Sequence, residues 1–252
     1  MRRFPRLDRT AYRPQLRTLA VLGAVYALFW LLLAIDPFNR RDWLMENLLV
    51  IGFAAGLWLS ARHFVFSRIS YVLIFAFLVL HAIGAHYTYA QVPYDDAWRA
   101  LTGHGFNEIF GWNRNYYDRL VHFSYGLLLS YPERELFLRV ADARGFWGYF
   151  LPFDFTMSTS AIYELIEWAA AATVGKDLGA AYLGTQGDIW DAQKDMLMAG
   201  LGALTAMFVT LAVNRSQQRD FARDWGQSLR VKDPRPLDAQ PPDRNSAGAG
   251  GS

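Results

Sequence analysis

Cysteine is absent from the 252 residues, and charged residues make up only 19% of them. Without cysteine the chain can form neither disulfide bonds nor a thiolate-based catalytic centre. The chain also lacks the H-E-x-x-H helix of zinc proteases, the G-x-S-x-G turn of serine hydrolases and the G-x-x-x-x-G-K-[ST] loop of nucleotide-binding proteins. The usual sequence signatures of these three enzyme classes are therefore missing.

The chain is instead rich in apolar residues, which make up 53% of the sequence. A helix needs about 20 predominantly apolar residues to cross the hydrocarbon core of a bilayer. Six stretches approach this length: 19–35, 47–61, 69–90, 120–138, 146–172 and 192–213. The second is short, and the fourth carries Glu133, Arg134 and Glu135 near one end. The sequence therefore predicts an all-α, polytopic membrane bundle with about six transmembrane helices.

The distribution of basic residues predicts the orientation of this bundle. Of the 25 Lys and Arg residues, 18 lie in the terminal segments or around the connections after the second and fourth spans, and five lie in the other connections. Because basic residues are enriched on the cytoplasmic side, we expect both termini there, in a bacterial inner membrane. Topology accounts for the basic termini, so we expect membrane lipid and no nucleic acid as a partner; the oligomeric state stays open.

Composition divides the chain into three parts. Residues 1–16 form a basic arm, residues 17–214 the six-helix transmembrane domain, and residues 215–252 a cytoplasmic tail. The charged residues after 213 could extend the last helix to about Arg230, and the Pro- and Gly-rich sequence from about 233 predicts disorder. The longest outer connection, 91–117, contains "YDDAWRALTG", which predicts a short interfacial helix.

Ionisable side chains collect near one end of four predicted spans, at the outer side of the membrane. Such groups are costly inside a bilayer and usually have a functional role or a polar partner. They are His86 at the end of the third span, Asp118, Arg119 and His122 at the start of the fourth, Glu164 and Glu167 near the end of the fifth, and Asp188, Asp191 and Asp195 at the start of the sixth. Four helices thus bring polar groups to one depth of one leaflet.

Helical spacing predicts that these groups face the interior of the bundle. Asp118 and His122 are four residues apart, and Glu164 and Glu167 are three apart, so each pair shares a helix face. Asp188, Asp191 and Asp195 follow the same rule. Small residues continue that face along the last span: Ala199, Gly202, Ala203 and Ala206. Because small residues let helices approach closely, the acids are expected to face protein rather than lipid.

This arrangement predicts a polar pocket that opens outward and binds a divalent metal ion or a lipid headgroup. A nitrogen and carboxylate set suits zinc and hydrolytic chemistry, whereas oxygen ligands alone suit magnesium or manganese. The candidate catalytic residues are His122, Glu164 and Glu167. The candidate substrate-binding residues are Arg114, Tyr117, Arg119 and Gln186. The candidate metal ligands are His86, Asp118, His122, Glu164, Glu167, Asp191 and Asp195.

Two other interpretations stay open. In the first, the cluster is a structural network: Asp188 and Asp191 cap the last helix, and Asp195 pairs with Arg119 or Lys194. In the second, the protein is a transporter or receptor for a small molecule or ion. The sequence has no inverted repeat and no pair of broken helices, which are the usual signs of a transporter.

Four motifs resemble a known family: "HYTY", "RNYYDRLVHF", "SAIYELIEW" and "LGTQGDIWDAQKDM". In this order and spacing they are similar to the YjdF family of predicted bacterial inner-membrane proteins, over about residues 20–213. Asp118, His122, Glu164, Asp188 and Asp191 also match, in order only, the more distant VanZ-like membrane proteins, a group linked to glycopeptide-antibiotic tolerance. The resemblance implies a membrane bundle and implies no particular reaction.

Overall fold

A computed structural model describes residues 10–174, 186–217 and 221–232. Every regular element within these ranges is a helix. The helices are α1 (Arg13–Leu33), α2 (Arg40–Ser60), α3 (Arg68–His86), α4 (Tyr94–Thr102), α5 (Phe106–Phe110), α6 (Tyr117–Val140), α7 (Trp147–Val174), α8 (Asp191–Gln217) and α9 (Phe221–Ser228). The predicted all-α class is confirmed.

Six of these helices correspond to the six predicted spans. Four of them, α1, α2, α3 and α8, are long and apolar enough to cross a membrane by length and composition. The other two, α6 and α7, have 24 and 28 residues, which is enough length to cross the hydrocarbon. Both carry more charge: α6 has charged residues near both ends, and α7 contains three acidic residues. The fold is a membrane helix bundle.

The second helix begins earlier than the sequence predicted. Asn39 caps α2, because its Oδ1 atom accepts hydrogen bonds from the backbone N–H groups of Arg41 (3.0 Å) and Asp42 (3.4 Å). The helix therefore starts at Arg40 rather than near residue 47. As a result, Asp42 and Glu46 belong to a long helix and not to a loop.

Helix α6 lies at the centre of the bundle and packs against α8, α3 and α7. Its contact with α8 is very close at two glycines. A Cβ atom on Gly126 would overlap the backbone oxygen of Ala199, and one on Gly202 would overlap that of Phe123. Ala199 and Ala203 are fully buried in the same contact. The predicted small-residue face of the last span is therefore confirmed.

Helices α1 and α2 both lie against α3, at the edge of the bundle. The Nε1 atom of Trp30 donates to Oδ1 of Asn47 (2.5 Å), which joins α1 to α2. Helix α2 approaches the other long helices only marginally. This leaves a groove between α2, α3, α6 and α7.

Short helices cover both ends of the bundle. Near the start of α6, Tyr94 of α4 donates to Asn107 of α5 (2.7 Å) and accepts from the backbone N–H of Tyr116 (3.0 Å). The predicted helix within 91–117 is thereby confirmed. At the opposite end, α9 returns to the start of α7, where the backbone N–H of Phe146 donates to Ser228 Oγ (2.9 Å). The tail predicted to be disordered from 233 lies outside the described residues.

Candidate functional site

A cavity of about 720 Å³ runs between α2, α3, α6 and α7 and reaches the start of α8. On α2 its lining extends from Asp42 to Ser60, and on α6 from Asp118 to Leu136. At 1.5 Å per residue, each of these segments is about 27 Å long. Acidic and imidazole side chains line the end near Asp42, and most of the remaining lining is apolar.

Arg119 pairs with acids of α8 beside this polar end. Its Nη2 atom lies 2.5 Å from Asp191 Oδ1 and 3.3 Å from Asp188 Oδ2. Its Nη1 atom donates to the backbone oxygen of Asp191 (3.0 Å) and forms an ion pair with Asp195 Oδ2. The Arg119 side chain is only 7% exposed. A buried guanidinium with this many partners fixes α6 against the start of α8.

Two further cations complete this ion network. Arg114 forms an ion pair with Asp118 and another with Asp191, at 3.0 Å. The Nζ atom of Lys194 lies 2.7 Å from Asp188 Oδ2. Asp118, Asp188 and Asp191 therefore each have a cationic partner. The hydrogen bond from Lys194 is the main reason why the pKa of Asp188 lies below its usual value; the backbone N–H of Trp190 and the charge of Arg119 lower it further.

A separate group of three side chains lies next to the ion network. Nε2 of His122 lies 3.9 Å from Oε1 of Glu164 and 3.8 Å from Oδ1 of Asp195. All three atoms lie within 4.8 Å of one another. The two carboxylate oxygens are buried, and neither has a hydrogen-bond partner within the described ranges. We refer to His122, Glu164 and Asp195 as the triad.

The triad has the composition and spacing of a metal site. Buried acceptors without a partner are destabilising by about 1–3 kcal/mol each, and a cation between them would satisfy both. Ligand atoms of a tetrahedral zinc site lie about 3.3–3.5 Å apart, because zinc bonds to N and O are about 2.0–2.2 Å long. The two distances from His122 to the carboxylate oxygens exceed this spacing by about 0.5 Å, so the triad would need to contract to bind zinc.

Three other predicted ligands, Glu167, Asp118 and Asp191, line the cavity. Glu167 lines it, one helical turn after Glu164. Asp118 and Asp191 form a second group with Asp195, within 4.8 Å of one another. Arg114 and Arg119 bind this second group, so each of its carboxylates already has a protein cation as a partner.

His86 lies apart from the triad. Its Nδ1 atom is 2.7 Å from the backbone oxygen of Leu33, and its ring contacts Tyr87 with the ring centroids 4.5 Å apart. His86 therefore links the end of α3 to the end of α1. Its depth in the membrane was predicted from the sequence, but its side chain is on a different face of α3 from the cavity.

Tyr117 and Gln186, two of the predicted substrate-binding residues, form internal contacts. The hydroxyl of Tyr117 donates to the backbone oxygen of Leu80 (2.9 Å). Gln186 accepts from the backbone N–H of Asn115 and donates to its backbone oxygen, both at 3.1 Å. Tyr117 thus joins α6 to α3, and Gln186 joins the loop before α8 to the loop before α6. Arg114 and Arg119 likewise bind acids of the protein.

Three residues at the polar end were not predicted from the sequence. Asp42 and Glu46, four residues apart on α2, both line the cavity and are buried. His81 of α3 lines it too, and its Nδ1 atom lies 2.6 Å from the hydroxyl of Tyr89. Tyr163 of α7 donates to Glu46 Oε2 (2.9 Å). The four-residue spacing of Asp42 and Glu46 was the available signal, and it was missed because this segment was assigned to a loop.

Carboxylates outnumber cations at this end of the bundle. The acids are Asp42, Glu46, Asp118, Glu164, Glu167, Asp188, Asp191 and Asp195. In the part of the chain that the structure describes, only three Lys or Arg side chains lie within 4.0 Å of them: Arg114, Arg119 and Lys194. The formal charge balance is therefore strongly negative, and the polar end favours cations.

Comparison with known proteins gives two matches. A family described as "Predicted membrane protein (DUF2238)" matches residues 18–216. The inner membrane protein YjdF of Escherichia coli (strain K12) is 38% identical over 188 residues, which is 74% of this chain and 86% of that protein. No solved structure matches the chain.

Proposed function

This chain belongs to the DUF2238 family of predicted membrane proteins and is a multi-pass inner-membrane protein, and we propose that its triad binds a divalent cation that takes part in a reaction on a substrate in the membrane or envelope. The resemblance to YjdF is confirmed. The more distant likeness to VanZ-like proteins stays a prediction.

One observation carries the proposal: two buried carboxylate oxygens point toward the same imidazole nitrogen without hydrogen-bond partners in the described segments. The side chain of Glu164 is 9% exposed and that of Asp195 is 6% exposed. Two acids so close together and so far from water repel each other unless a proton or cation lies between them. Imidazole nitrogen and carboxylate oxygen are both ligand atoms for zinc and related metals.

The position of the triad suits a catalytic use of the metal. Its ligands come from α6, α7 and α8, which pack on one another, so their geometry is set by the core of the bundle. Three protein ligands leave a coordination position for water or substrate, and a bound metal supplies Lewis acidity there. In the hydrolytic form of this proposal, Glu167 is the proton acceptor, because it follows Glu164 on the same face of α7 and lines the cavity.

The assignment changes the roles predicted from the sequence. His122 and Glu164 become metal ligands, and Glu167 alone remains as a candidate catalytic residue. Asp118, Asp188 and Asp191 are assigned to the ion network, because each is paired with a cation of the protein. The proposal therefore depends on the triad and not on the total number of acids.

Metal analysis of the purified protein tests the proposal. The protein is purified without chelator, its metal content is measured, and zinc, manganese, magnesium and calcium are titrated into the metal-free protein. We expect one equivalent of metal, and we expect His122→Ala and Glu164→Gln each to weaken binding at least tenfold. Glu133→Gln is the matched control, because Glu133 lines the same cavity and accepts a hydrogen bond from Thr156 (2.9 Å).

If no divalent metal binds above background, or if both triad variants bind it as the wild type does, the triad is not a metal site. The hydrolytic form has its own requirement, since Glu167→Gln must then leave metal affinity unchanged while it abolishes turnover of lipid-linked substrates. Lipid profiles of a deletion strain, complemented with either the wild type or Glu167→Gln, would report that loss.

A further inference from the structure

Below its polar end, the cavity is a mostly apolar channel. Its lining extends over about 27 Å along both α2 and α6. Its length is close to the hydrocarbon thickness of a bilayer, about 30 Å.

The cavity opens sideways between α2 and α7. Several residues line it and are also substantially exposed: Leu49 (47%) and Phe53 (43%) on α2, and Phe155 (42%), Ile162 (54%) and Ile166 (43%) on α7. A side chain that meets both conditions lies at the mouth of the cavity. These two helices are not packed together along their length, and Tyr163 links them through Glu46. Because the exposed residues are apolar, the mouth faces lipid, and hydrocarbon can enter without crossing water.

The polar end of the cavity favours a positively charged group on any ligand that binds there. Asp42 and Glu46 line the cavity, are 7% and 6% exposed, and have no Lys or Arg partner within 4.0 Å in the described part of the chain. The nearby His81 is also buried, and its Nε2 atom has no hydrogen-bond partner there. These groups offer acceptors and negative charge, so a phosphate would be repelled. An ammonium group could pair with both carboxylates and donate to the imidazole.

We infer that this cavity binds an amphiphile with an ammonium headgroup and an apolar hydrocarbon part. The headgroup lies at Asp42, Glu46 and His81, and the hydrocarbon chain extends between α2 and α7 toward Ser60. This inference goes beyond the proposed metal site and does not depend on it. The headgroup residues are on α2 and α3, whereas the triad is on α6, α7 and α8.

Binding of three radiolabelled probes with one chain length tests the charge preference. The full-length protein is placed in phosphatidylcholine nanodiscs, and empty nanodiscs serve as the background. The probes are hexadecylammonium, hexadecyl phosphate and hexadecanol. We expect saturable binding of about one hexadecylammonium per protein, at least tenfold tighter than that of either other probe. Equal or tighter binding of the phosphate or the alcohol would overturn the inference.

Two substitutions on α2 test the position of the chain. Gly56 lines the cavity, whereas Gly52, one turn earlier, does not; a Cβ atom at either position meets nothing within 4 Å. Gly56→Phe fills the channel with little strain, and we expect it to weaken hexadecylammonium binding at least tenfold. Gly52→Phe is the matched control and should bind as the wild type does. An unchanged affinity in Gly56→Phe would show that the chain lies elsewhere.

A substitution at the polar end tests the position of the headgroup. Glu46→Gln keeps the shape of the side chain, and we expect it to lower hexadecylammonium affinity at least tenfold with little effect on hexadecanol. Equal loss for both probes, or no loss, would overturn the headgroup assignment. Zinc titration of the same preparation separates the two proposals, because Glu46→Gln should retain the triad's metal affinity and His122→Ala should retain ammonium binding.

Discussion

The carboxylate of Asp195 faces two different partners: Oδ2 pairs with Arg119, and Oδ1 lies 3.8 Å from Nε2 of His122. One side chain therefore belongs both to the ion network and to the triad. The ion pair with Arg119 fixes the rotamer of Asp195 and so directs its second oxygen toward His122. In this way, a structural ion pair holds one member of the candidate metal site in position.

Arg119→Met should destabilise the protein strongly. The arginine is 7% exposed and contacts Asp188, Asp191 and Asp195, so its removal leaves buried carboxylates without a cation. Loss of one partner from a buried ion pair typically lowers the free energy of unfolding by about 3–5 kcal/mol. Thermal unfolding in a mild detergent measures this change as a lower midpoint temperature.

Arg144→Ala is the control for that measurement. Arg144 pairs with Asp142 at 2.6 Å, and both side chains are 75% exposed. Exposed ion pairs contribute little to stability, so this variant should unfold at nearly the wild-type temperature. If both arginine variants unfolded alike, the network around Arg119 would not be a principal source of stability.

Gly126→Ala should disrupt the contact between α6 and α8. A methyl group at this position would overlap the backbone oxygen of Ala199, and backbone atoms cannot move aside as a flexible side chain can. We expect a loss of about 1–3 kcal/mol, the usual range for overpacking. Gly52→Ala is the matched control: its new methyl group meets nothing within 4 Å, so the higher helix propensity of alanine should leave stability unchanged or raise it by up to about 1 kcal/mol.

Helix positions were largely predictable from the sequence, because apolar runs of sufficient length have few alternatives to crossing the membrane. The start of α2 was the exception. Asp42 and Glu46 lie just before the apolar run, so hydropathy alone placed the start of the second span at residue 47. The helix continues to Arg40 because Asn39 caps it. Capping is a local signal that can be seen in a sequence, but only once a helix is considered there.

The site was only partly predictable, since depth in the membrane and helix face are encoded differently. Hydropathy gives depth, and it placed His86 and His122 correctly at the same end of the bundle. The rotation of a helix about its axis depends on its neighbours, and α3 packs against α1 and α6 so that His81 faces the cavity and His86 contacts Leu33. A single sequence does not specify those neighbours. Because a buried acid needs a cation, one interpretation of the sequence paired Asp195 with Arg119 or Lys194, and the structure shows the pair with Arg119.

The pH dependence of stability should include a contribution from Asp188. The pKa of its carboxyl group is lowered in the folded state, chiefly by the hydrogen bond from Lys194. A lowered folded-state pKa means that the contribution is complete above the unfolded-state pKa of aspartate, about 3.9, and is lost as pH falls through the lower folded-state value. Unfolding temperatures measured between pH 7 and pH 2 should therefore fall less steeply for Asp188→Asn than for the wild type. Identical slopes would contradict this assignment.

Zinc should stabilise the wild type through the triad. A ligand that binds only the folded state adds RT ln(1 + [L]/Kd), about 2.7 kcal/mol at a concentration of 100 Kd. Metal should raise the unfolding temperature of Glu164→Gln much less than that of the wild type, because the variant lacks one of the two carboxylates that would bind the metal. In metal-free buffer the same variant should be at least as stable as the wild type, since it removes repulsion between Glu164 and Asp195. A purely structural cluster predicts the opposite pair of results: no metal effect on the wild type, and a loss of stability in Glu164→Gln.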